Sequence, residues 1–173
     1  MSFREAVLSD IRFYRMQESL WSSIITFFFD PRFQFVFLYR LGCLLRRIPL
    51  LRLFTIFIKY HYLIFFSSEV SLKAQIGKNF KVAHPIGIVI GDRTVIGDNC
   101  TVFQHVTFGS SGRKDRPKEY PVIEDGVTIY SGVTLIGNVR VGRNSVIGAH
   151  ALVTKDIPPD CIAAGAPAKP LQK

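Results

Sequence analysis

Branched apolar residues recur at every sixth position through the C-terminal part of the chain. The register holds without a slip at Ile123, Ile129, Leu135, Val141, Ile147 and Val153. A small or β-branched residue lies four positions after each of the first five: Val127, Val133, Val139, Ser145 and Ala151. An amphipathic helix needs a spacing near 3.6 and an amphipathic strand needs alternation, so neither explains a period of six. The pattern predicts a chain that turns a corner every six residues, which is a solenoid β-helix.

The same register extends upstream with two interruptions. It is present at Val70, Ile76 and Val82, and it resumes after two extra residues at Ile90, Ile96, Val102 and Phe108. The second interruption, residues 109–122, is polar and rich in Gly and Pro, which predicts an extruded loop. Three hexads make one triangular coil, so the thirteen hexads give a little over four coils and enough stacked units for a continuous core.

Glycine follows the apolar hexad residue in six of these hexads, at Gly109 and at five positions where we expect a corner. The five positions are Gly77, Gly91, Gly97, Gly142 and Gly148. Because glycine tolerates backbone angles that other residues avoid, we expect these residues to form corners of the β-helix.

Residues 1–68 contain no hexads and predict an α-helical N-terminal cap, which leaves residues 69–173 for the β-helix and a C-terminal tail. Apolar residues have helical spacing in Arg4–Met16 and in Phe33–Arg46. The dipeptide Asp30-Pro31 is typical of a helix start, with Asp as the N-cap and Pro in the first turn.

From Ile48 to Phe66 the chain is strongly apolar, but Arg52, Lys59 and His61 interrupt it. Charges within a membrane-spanning segment are costly, so a transmembrane helix is not the first interpretation. The favoured interpretation is a helix buried against the β-helix or against partner subunits. The alternative is an interfacial helix, with basic residues at the lipid headgroups and Phe and Leu residues below them.

The formal net charge of +9 indicates an anionic binding partner. Nucleic acid is not expected, because no basic stripe with interleaved aromatic residues lies on the predicted coils. A polyanionic small molecule or an anionic membrane surface explains the excess of positive charge as well.

The three cysteines, Cys43, Cys100 and Cys161, are odd in number and widely separated, which suits a reducing compartment. We expect a cytoplasmic protein, with peripheral contact at the inner face of the membrane through residues 1–66 as an alternative.

Two histidines and one acid are expected at one edge of the β-helix. His84 is the third residue of the Val82 hexad, and His105 is the fourth residue of the Val102 hexad. Those hexads are three apart, so they share a face one coil apart, at the strand spacing of roughly 4.8 Å. Glu69 directly precedes the first hexad and lies at the corner where the face of His84 ends. We therefore expect these three side chains to converge beside the extruded loop.

A carboxylate beside a histidine is the arrangement that a general base needs. The carboxylate fixes the tautomer and favours the imidazolium, while the free ring nitrogen takes a proton from a substrate hydroxyl. The alternative is structural: His84 caps a turn beside Pro85, and Glu69 is merely exposed.

Two histidines at the edge without a clear third ligand argue against a zinc site, so no metal is predicted. His61 and His150 are assigned no role.

The segments AHPIGIVIG, which contains His84, and GAPAK, near the C-terminus, are the most specific motifs. With them, the chain from roughly Asp30 to Pro170 resembles the serine acetyltransferase group of hexapeptide acyltransferases, and within it the branch that O-acetylates polysaccharides. The resemblance implies a left-handed parallel β-helix, a homotrimer and acetyl-CoA as co-substrate. The expected fold class is therefore mainly β, a left-handed parallel β-helix with an N-terminal α-helical cap.

The resemblance also implies roles for individual residues. His84 matches the family's general base, and Glu69, fifteen residues upstream, stands where the family usually has Asp as the partner. The pantetheine arm of CoA is expected in a groove between neighbouring subunits. The matching cofactor-binding positions are Gly109, Ser131, Ala149, Gly165, Ala166 and Lys169.

The loop that precedes Pro121 departs from the family. Serine acetyltransferases carry an Arg-His pair where this chain has Glu119 and Tyr120, and Glu119 would repel an amino-acid carboxylate. Lys118 could take the place of the Arg, and Tyr120 or His105 could orient the acceptor. These four residues are the predicted substrate-binding set.

The predicted function is direct transfer of acetyl from acetyl-CoA to a sugar hydroxyl in capsule, exopolysaccharide or lipopolysaccharide biosynthesis. This prediction leaves open whether the acceptor saccharide is monomeric, lipid-linked or polymeric. One alternative is serine O-acetylation in cysteine biosynthesis. The other is a non-catalytic, membrane-associated β-helix that binds a partner.

Overall fold

The computed structural model describes residues 2–14, 19–112 and 119–171. The helices are α1 (Phe3–Tyr14), α2 (Leu20–Phe29), α3 (Pro31–Arg47), a 3-10 helix (Pro49–Phe54) and α4 (Thr55–Phe66). The strands are β1 (Glu69–Val70), β2 (Gln75–Ile76), β3 (Lys81–Val82), β4 (Val89–Ile90), β5 (Val95–Ile96), β6 (Thr101–Val102), β7 (Thr107–Gly109), β8 (Val122–Ile123), β9 (Thr128–Ile129), β10 (Thr134–Ile136), β11 (Arg140–Val141), β12 (Val146–Ile147), β13 (Leu152–Val153), β14 (Ile162–Ala164) and β15 (Lys169–Pro170).

The strands form three sheets that are the faces of a triangular prism. Sheet A has the order β1-β4-β7-β10-β13, sheet B the order β11-β8-β5-β2, and sheet C the order β15-β14-β12-β9-β6-β3. Among the strands that the structure describes, every pairing between coils is parallel, and only the final β14–β15 pair is antiparallel. The predicted parallel β-helix with N-terminal helices is confirmed. All thirteen apolar hexad residues are buried in the prism.

The five glycines that are expected at corners do not supply unusual backbone angles, so the reason predicted for them is wrong. Their φ angles lie outside the left-handed region. They are glycines because the next coil passes close by. A Cβ at Gly77 would lie 2.6 Å from the carbonyl oxygen of Gly97, and one at Gly142 would lie 2.7 Å from Cα of Pro159. The left-handed residues come two positions later in four of these turns, at Asn79, Asn99, Asn144 and His150.

Helix α3 begins as the sequence predicts. Asp30 is its N-cap: the Oδ1 atom accepts a hydrogen bond of 2.9 Å from the backbone N–H of Arg32, and Pro31 occupies the first turn. Helix α3 then packs against α1, α2 and α4, and so forms the centre of the cap.

A buried ion pair fastens the cap to the first coil of the β-helix. Arg40 of α3 donates to Asp10 of α1 at 2.9 Å and to the carbonyl oxygen of Ile76 at 2.7 Å. Nearby, the hydroxyl of Tyr39 donates to the carbonyl oxygen of Ala74 at 2.8 Å. Burial raises the pKa of Asp10 although Arg40 lies beside it. The cap and the first coil therefore share one core.

Candidate active site

His84 lies in an enlarged turn between sheet C and sheet A. Val82 pairs with Val102, and Ile90 pairs with Phe108, yet the first coil takes eight residues between these positions where the second takes six. The two-residue slip in the hexad register is therefore located at this corner. The extra residues carry the backbone outward, and His84 is exposed.

Backbone hydrogen bonds hold this turn in place. The N–H of Ile86 donates to the carbonyl oxygen of His84 at 2.9 Å, which closes a tight turn directly after the histidine. The N–H of Gly87 donates to the carbonyl oxygen of Phe66 at 3.1 Å, and so ties the turn to the end of α4. The turn is thus held by its own hydrogen bond and by the end of α4. The exposed imidazole of His84 takes no part in these backbone bonds.

Glu69 flanks the same corner from the other side. Its N–H donates to the carbonyl oxygen of Ile88 at 2.9 Å, and it pairs in register with Val89 at the start of sheet A. The side chain is exposed and borders a cleft of about 370 Å³ between sheet A and α4, together with Lys59. Among the described residues, no hydrogen bond or ion pair joins Glu69 to His84. The fold places the two residues on either side of one corner.

His105 occupies the next coil of this corner and has a clear packing role. Its φ is +58°, and its ring lies against the backbone of Gly87, where a Cβ would be 2.8 Å from Cε1. His150 repeats the arrangement two coils further on, with a φ of +57° and its ring against Gly132. Because His105 and His150 are equivalent, packing between coils explains both imidazoles.

A column of aromatic rings runs along the corner above His84, and the sequence prediction missed it. The ring centroids of His84 and Phe103 are 6.2 Å apart, and those of Phe103 and Tyr130 are 4.8 Å apart. Phe103 and Tyr130 each directly follow the buried hexad residue of a sheet C strand. That shared register position was the signal that could have identified them.

The predicted cofactor positions line the same corner, with one exception. Ser131 and Ala149 lie in successive turns from sheet C to sheet A, and the N–H of His150 donates to the carbonyl oxygen of Ser131 at 2.8 Å. Gly165 follows β14 at the same corner in the last turn, with Ala166 and Lys169 exposed beyond it. The chain therefore offers a line of small residues that leads away from His84 and ends near a cation.

Gly109, Glu119 and Tyr120 lie at a different corner. Gly109 ends β7, where sheet A gives way to sheet B, and the ring of Tyr120 lies over Gly91 at the same kind of turn. The extruded loop leaves from this corner, but its residues 113–118 lie outside the described residues, so its position beside the histidines stays a prediction. The hexad pattern gives the position of the extruded loop in the sequence. It does not show from which edge of sheet A the loop leaves. Lys118 lies outside the described residues.

Two of the described cysteines, Cys43 and Cys100, are poor nucleophiles. All three are free, and burial raises the pKa of Cys100 to about 11 and also raises the pKa of Cys43. A thiol with a raised pKa carries little thiolate near neutral pH. Within residues 2–14, 19–112 and 119–171, no group of three or more His, Cys, Asp or Glu side chains is placed to hold a metal ion.

Comparisons with known proteins identify close relatives. Residues 120–155 match the family model of the bacterial transferase hexapeptide, six repeats. The serine acetyltransferase of Bacillus pumilus is 41% identical over 101 residues, which are 58% of this chain and 46% of the relative. The chain thus spans about half the length of the curated relatives that it matches.

Solved structures match over nearly the whole chain. Soybean serine acetyltransferase complexed with serine superposes with a TM-score of 0.84 at 30% identity, covering 98% of this chain and 70% of the soybean chain. A serine acetyltransferase in complex with CoA superposes with a TM-score of 0.83 at 26% identity, covering 98% of this chain and 70% of the other. The predicted left-handed β-helix is confirmed by these neighbours.

The predicted sugar acceptor is wrong. It rested mainly on Glu119 and Tyr120, which stand where the family has an Arg-His pair. The relatives at 35–41% identity are serine acetyltransferases, and so are the structural neighbours. The alternative given with that prediction, serine as acceptor, agrees with these relatives better than a saccharide does.

Proposed function

The chain belongs to the serine acetyltransferase family of hexapeptide transferases, and from that premise we propose that it transfers acetyl from acetyl-CoA to the hydroxyl of serine. One observation carries the proposal: 98% of the chain, cap and β-helix together, superposes on a serine-bound family member at 30% identity. A shared β-helix alone would not suffice, because many activities use that fold. Agreement in the helices as well as the coils makes the likeness specific.

In the proposed reaction, His84 is the general base. The free ring nitrogen of its imidazole takes the proton from the serine hydroxyl, while the hydroxyl oxygen attacks the thioester carbonyl carbon. The tetrahedral intermediate collapses as its carbon–sulfur bond breaks, and the imidazolium returns the proton to the departing CoA thiolate. The products are O-acetylserine and CoA. No acyl-enzyme forms, which is consistent with the raised pKa of Cys43 and Cys100.

Glu69 is proposed as a positioning residue for His84. Both side chains are exposed on the two sides of one enlarged corner, and a carboxylate that turns toward the ring stabilises the imidazolium formed in the first step. A carboxamide in the same place keeps a hydrogen bond but loses the charge. Glu69→Gln should therefore cost less turnover than removal of the imidazole, and it should shift the pH profile of kcat/KM.

The acetyl-CoA site is proposed along the corner of His84. Ser131, Ala149 and Gly165 are small residues in successive turns, so they leave room for a thin pantetheine arm beside the backbone. Lys169 is exposed at the end of this line and suits the phosphates of the nucleotide. In this proposal the thioester end lies toward His84 and the nucleotide end toward the last turn.

A homotrimer is proposed because the candidate residues divide between two corners. Gly109 and Tyr120 lie where sheet A meets sheet B, whereas His84 lies where sheet C meets sheet A. A cyclic arrangement with heterologous contacts brings one corner of a subunit against the other corner of its neighbour. Each complete site would then combine His84 of one protomer with Tyr120 of the next.

Serine carries a carboxylate, so the site needs a cation near Glu119. The sequence of the extruded loop supplies Arg113, Lys114, Arg116 and Lys118 against two acids, Asp115 and Glu119. We propose that one of these bases binds the serine carboxylate. If so, serinamide, which lacks that charge, should be a poorer acceptor than serine, with the loss mainly in KM.

The test is acetyl transfer by the purified chain from acetyl-CoA to L-serine, followed by release of free CoA and by mass detection of O-acetylserine. The proposal expects product to accumulate in step with CoA and to depend on the serine concentration. CoA release that stays at the level of acetyl-CoA hydrolysis at saturating serine would contradict it.

A further inference from the structure

The outward side of α4 is apolar, which is the reverse of an ordinary surface helix. Ile58, Tyr62 and Phe66 point into the protein core. The opposite side, here called the outer face of α4, consists of Ile56, Phe57, Tyr60, Leu63 and Ile64, all of them exposed. A surface helix normally presents polar side chains there, and a helix that is apolar all round lies in a core or against lipid.

The preceding segments repeat the pattern. Helix α2 carries no charged residue and exposes Leu20, Trp21, Ile25, Phe28 and Phe29, with Trp21 at 75% exposure. The 3-10 helix exposes Leu50, Leu53 and Phe54. The 3-10 helix packs against α4, so their exposed apolar residues adjoin, and apolar surface of this kind marks a site of contact with another protein or a membrane.

The cap segment that carries this surface has charges of one sign, and the acids nearest to the outer face, Glu69 and Asp92, lie in the cleft between α4 and sheet A. Residues 31–68 contain six Arg or Lys and no Asp or Glu. Arg40 is buried with Asp10, and Arg32 pairs with Asp30, but Arg46, Arg47 and Arg52 are exposed. Within the described part of the chain, no ion pair neutralises these last three arginines. We therefore expect a partner that presents apolar groups to the outer face of α4 and anionic groups to the three exposed arginines.

We propose that the cap docks on an anionic lipid bilayer, with the outer face of α4 at the boundary between headgroups and acyl chains. Arg46, Arg47 and Arg52 contact the lipid phosphates, and Phe57 and Ile64 lie below them. Amphipathic interfacial segments combine these two contributions, apolar burial and attraction to anionic lipid.

A second copy of the chain is the competing occupant, and the charges argue against it. An isologous contact between two α4 faces brings the arginines of one copy toward those of the other without an acid in residues 31–68 to separate them. Anionic headgroups neutralise the same arginines instead.

The stretch Pro49–Phe66 is long and apolar enough to cross a bilayer by length and composition alone. It does not cross one in this fold, because α4 packs against α3 and β1 through its buried side. A spanning helix would have to abandon that packing. The helix therefore lies on the membrane surface and leaves the β-helix in water.

The experiment is sedimentation of the full chain with vesicles of phosphatidylcholine alone or mixed with phosphatidylglycerol. Binding is expected only to the mixed vesicles, and it should weaken as salt is raised. Phe57→Ser combined with Ile64→Ser should weaken the vesicle partition roughly 100-fold, because two side chains that are 70% and 68% exposed lose their apolar burial. Arg46→Gln combined with Arg47→Gln should weaken it roughly 30-fold.

Leu171→Ser is the matched control, since Leu171 is 54% exposed at the far end of the chain and should leave vesicle binding unchanged. Thermal unfolding of each variant verifies that it is folded. Equal partition to both lipid mixtures, no binding at low salt, or undiminished binding by Phe57→Ser/Ile64→Ser would each overturn the proposal. So would a subunit association, seen by sedimentation velocity, that this double variant abolishes while neither protein binds vesicles. None of these outcomes depends on whether serine is acetylated.

Discussion

Replacing Arg40 by Met tests how the cap is joined to the β-helix. The Arg40 and Asp10 side chains are only 5% and 1% exposed, and the guanidinium also donates to the carbonyl oxygen of Ile76 at 2.7 Å. Methionine keeps most of the volume but leaves a buried carboxylate without its cation and a buried carbonyl without its donor. Breaking a buried pair from one side costs about 3–5 kcal/mol.

For a chain of this length, that loss corresponds to a fall in Tm of roughly 6–20 °C. Urea unfolding followed by circular dichroism measures the free energy, and Arg46→Met, at the exposed end of the same helix, is the control that should change it by less than about 0.5 kcal/mol. Removing both partners, as Asp10→Leu with Arg40→Met, should recover most of the loss, because no charge is then left buried.

The same ion pair predicts how the free energy of unfolding of Arg40→Met changes with pH. Burial already raises the pKa of Asp10 with Arg40 present, and without Arg40 the pKa of Asp10 rises further. A group whose folded pKa is raised stabilises the fold as pH falls through that pKa. Arg40→Met should therefore regain part of its lost stability between neutral pH and the ordinary pKa of a carboxyl group. An Arg40→Met protein within about 1 kcal/mol of wild type, or one without this recovery, would refute the reasoning.

Two further predictions concern the coils. Gly142→Ala should lower the free energy of unfolding by about 2 kcal/mol or more, because its Cβ would lie 2.7 Å from Cα of Pro159 in the next coil; an unchanged urea midpoint would contradict the coil spacing. Burial raises the pKa of Cys100 to about 11, so at about pH 8 iodoacetamide should leave Cys100 of the folded protein unmodified while the urea-unfolded chain reacts, as peptide mass spectrometry would show.

Much of the fold could be predicted from the sequence because period six is a strong and local constraint. Each inward hexad residue from Val70 to Val153 is buried by the same geometry, so one register determines the core of the β-helix. The glycines were interpreted for the wrong reason, since Gly77 and Gly142 are required by the next coil. Contacts between coils join residues that are about twenty positions apart, and no local pattern reports their closeness.

The candidate site was less predictable for a similar reason. The hexads placed His84 at a corner, but whether the extruded loop lies beside it depends on which edge of sheet A the loop leaves. The packing of His105 on Gly87 needed coordinates as well. In the cap, burial of Arg40 could not be foreseen, because its partner Asp10 lies on another helix.

Turnover of His84→Asn with acetyl-CoA and L-serine tests the central claim most directly. His150→Asn is the control, since His150 has the same kind of exposed corner position and Asn accepts its left-handed backbone. The account predicts a fall in kcat of roughly 10²–10⁴-fold for His84→Asn and little change for His150→Asn. A His84→Asn protein that keeps nearly full turnover, or equal losses in both variants, would contradict it.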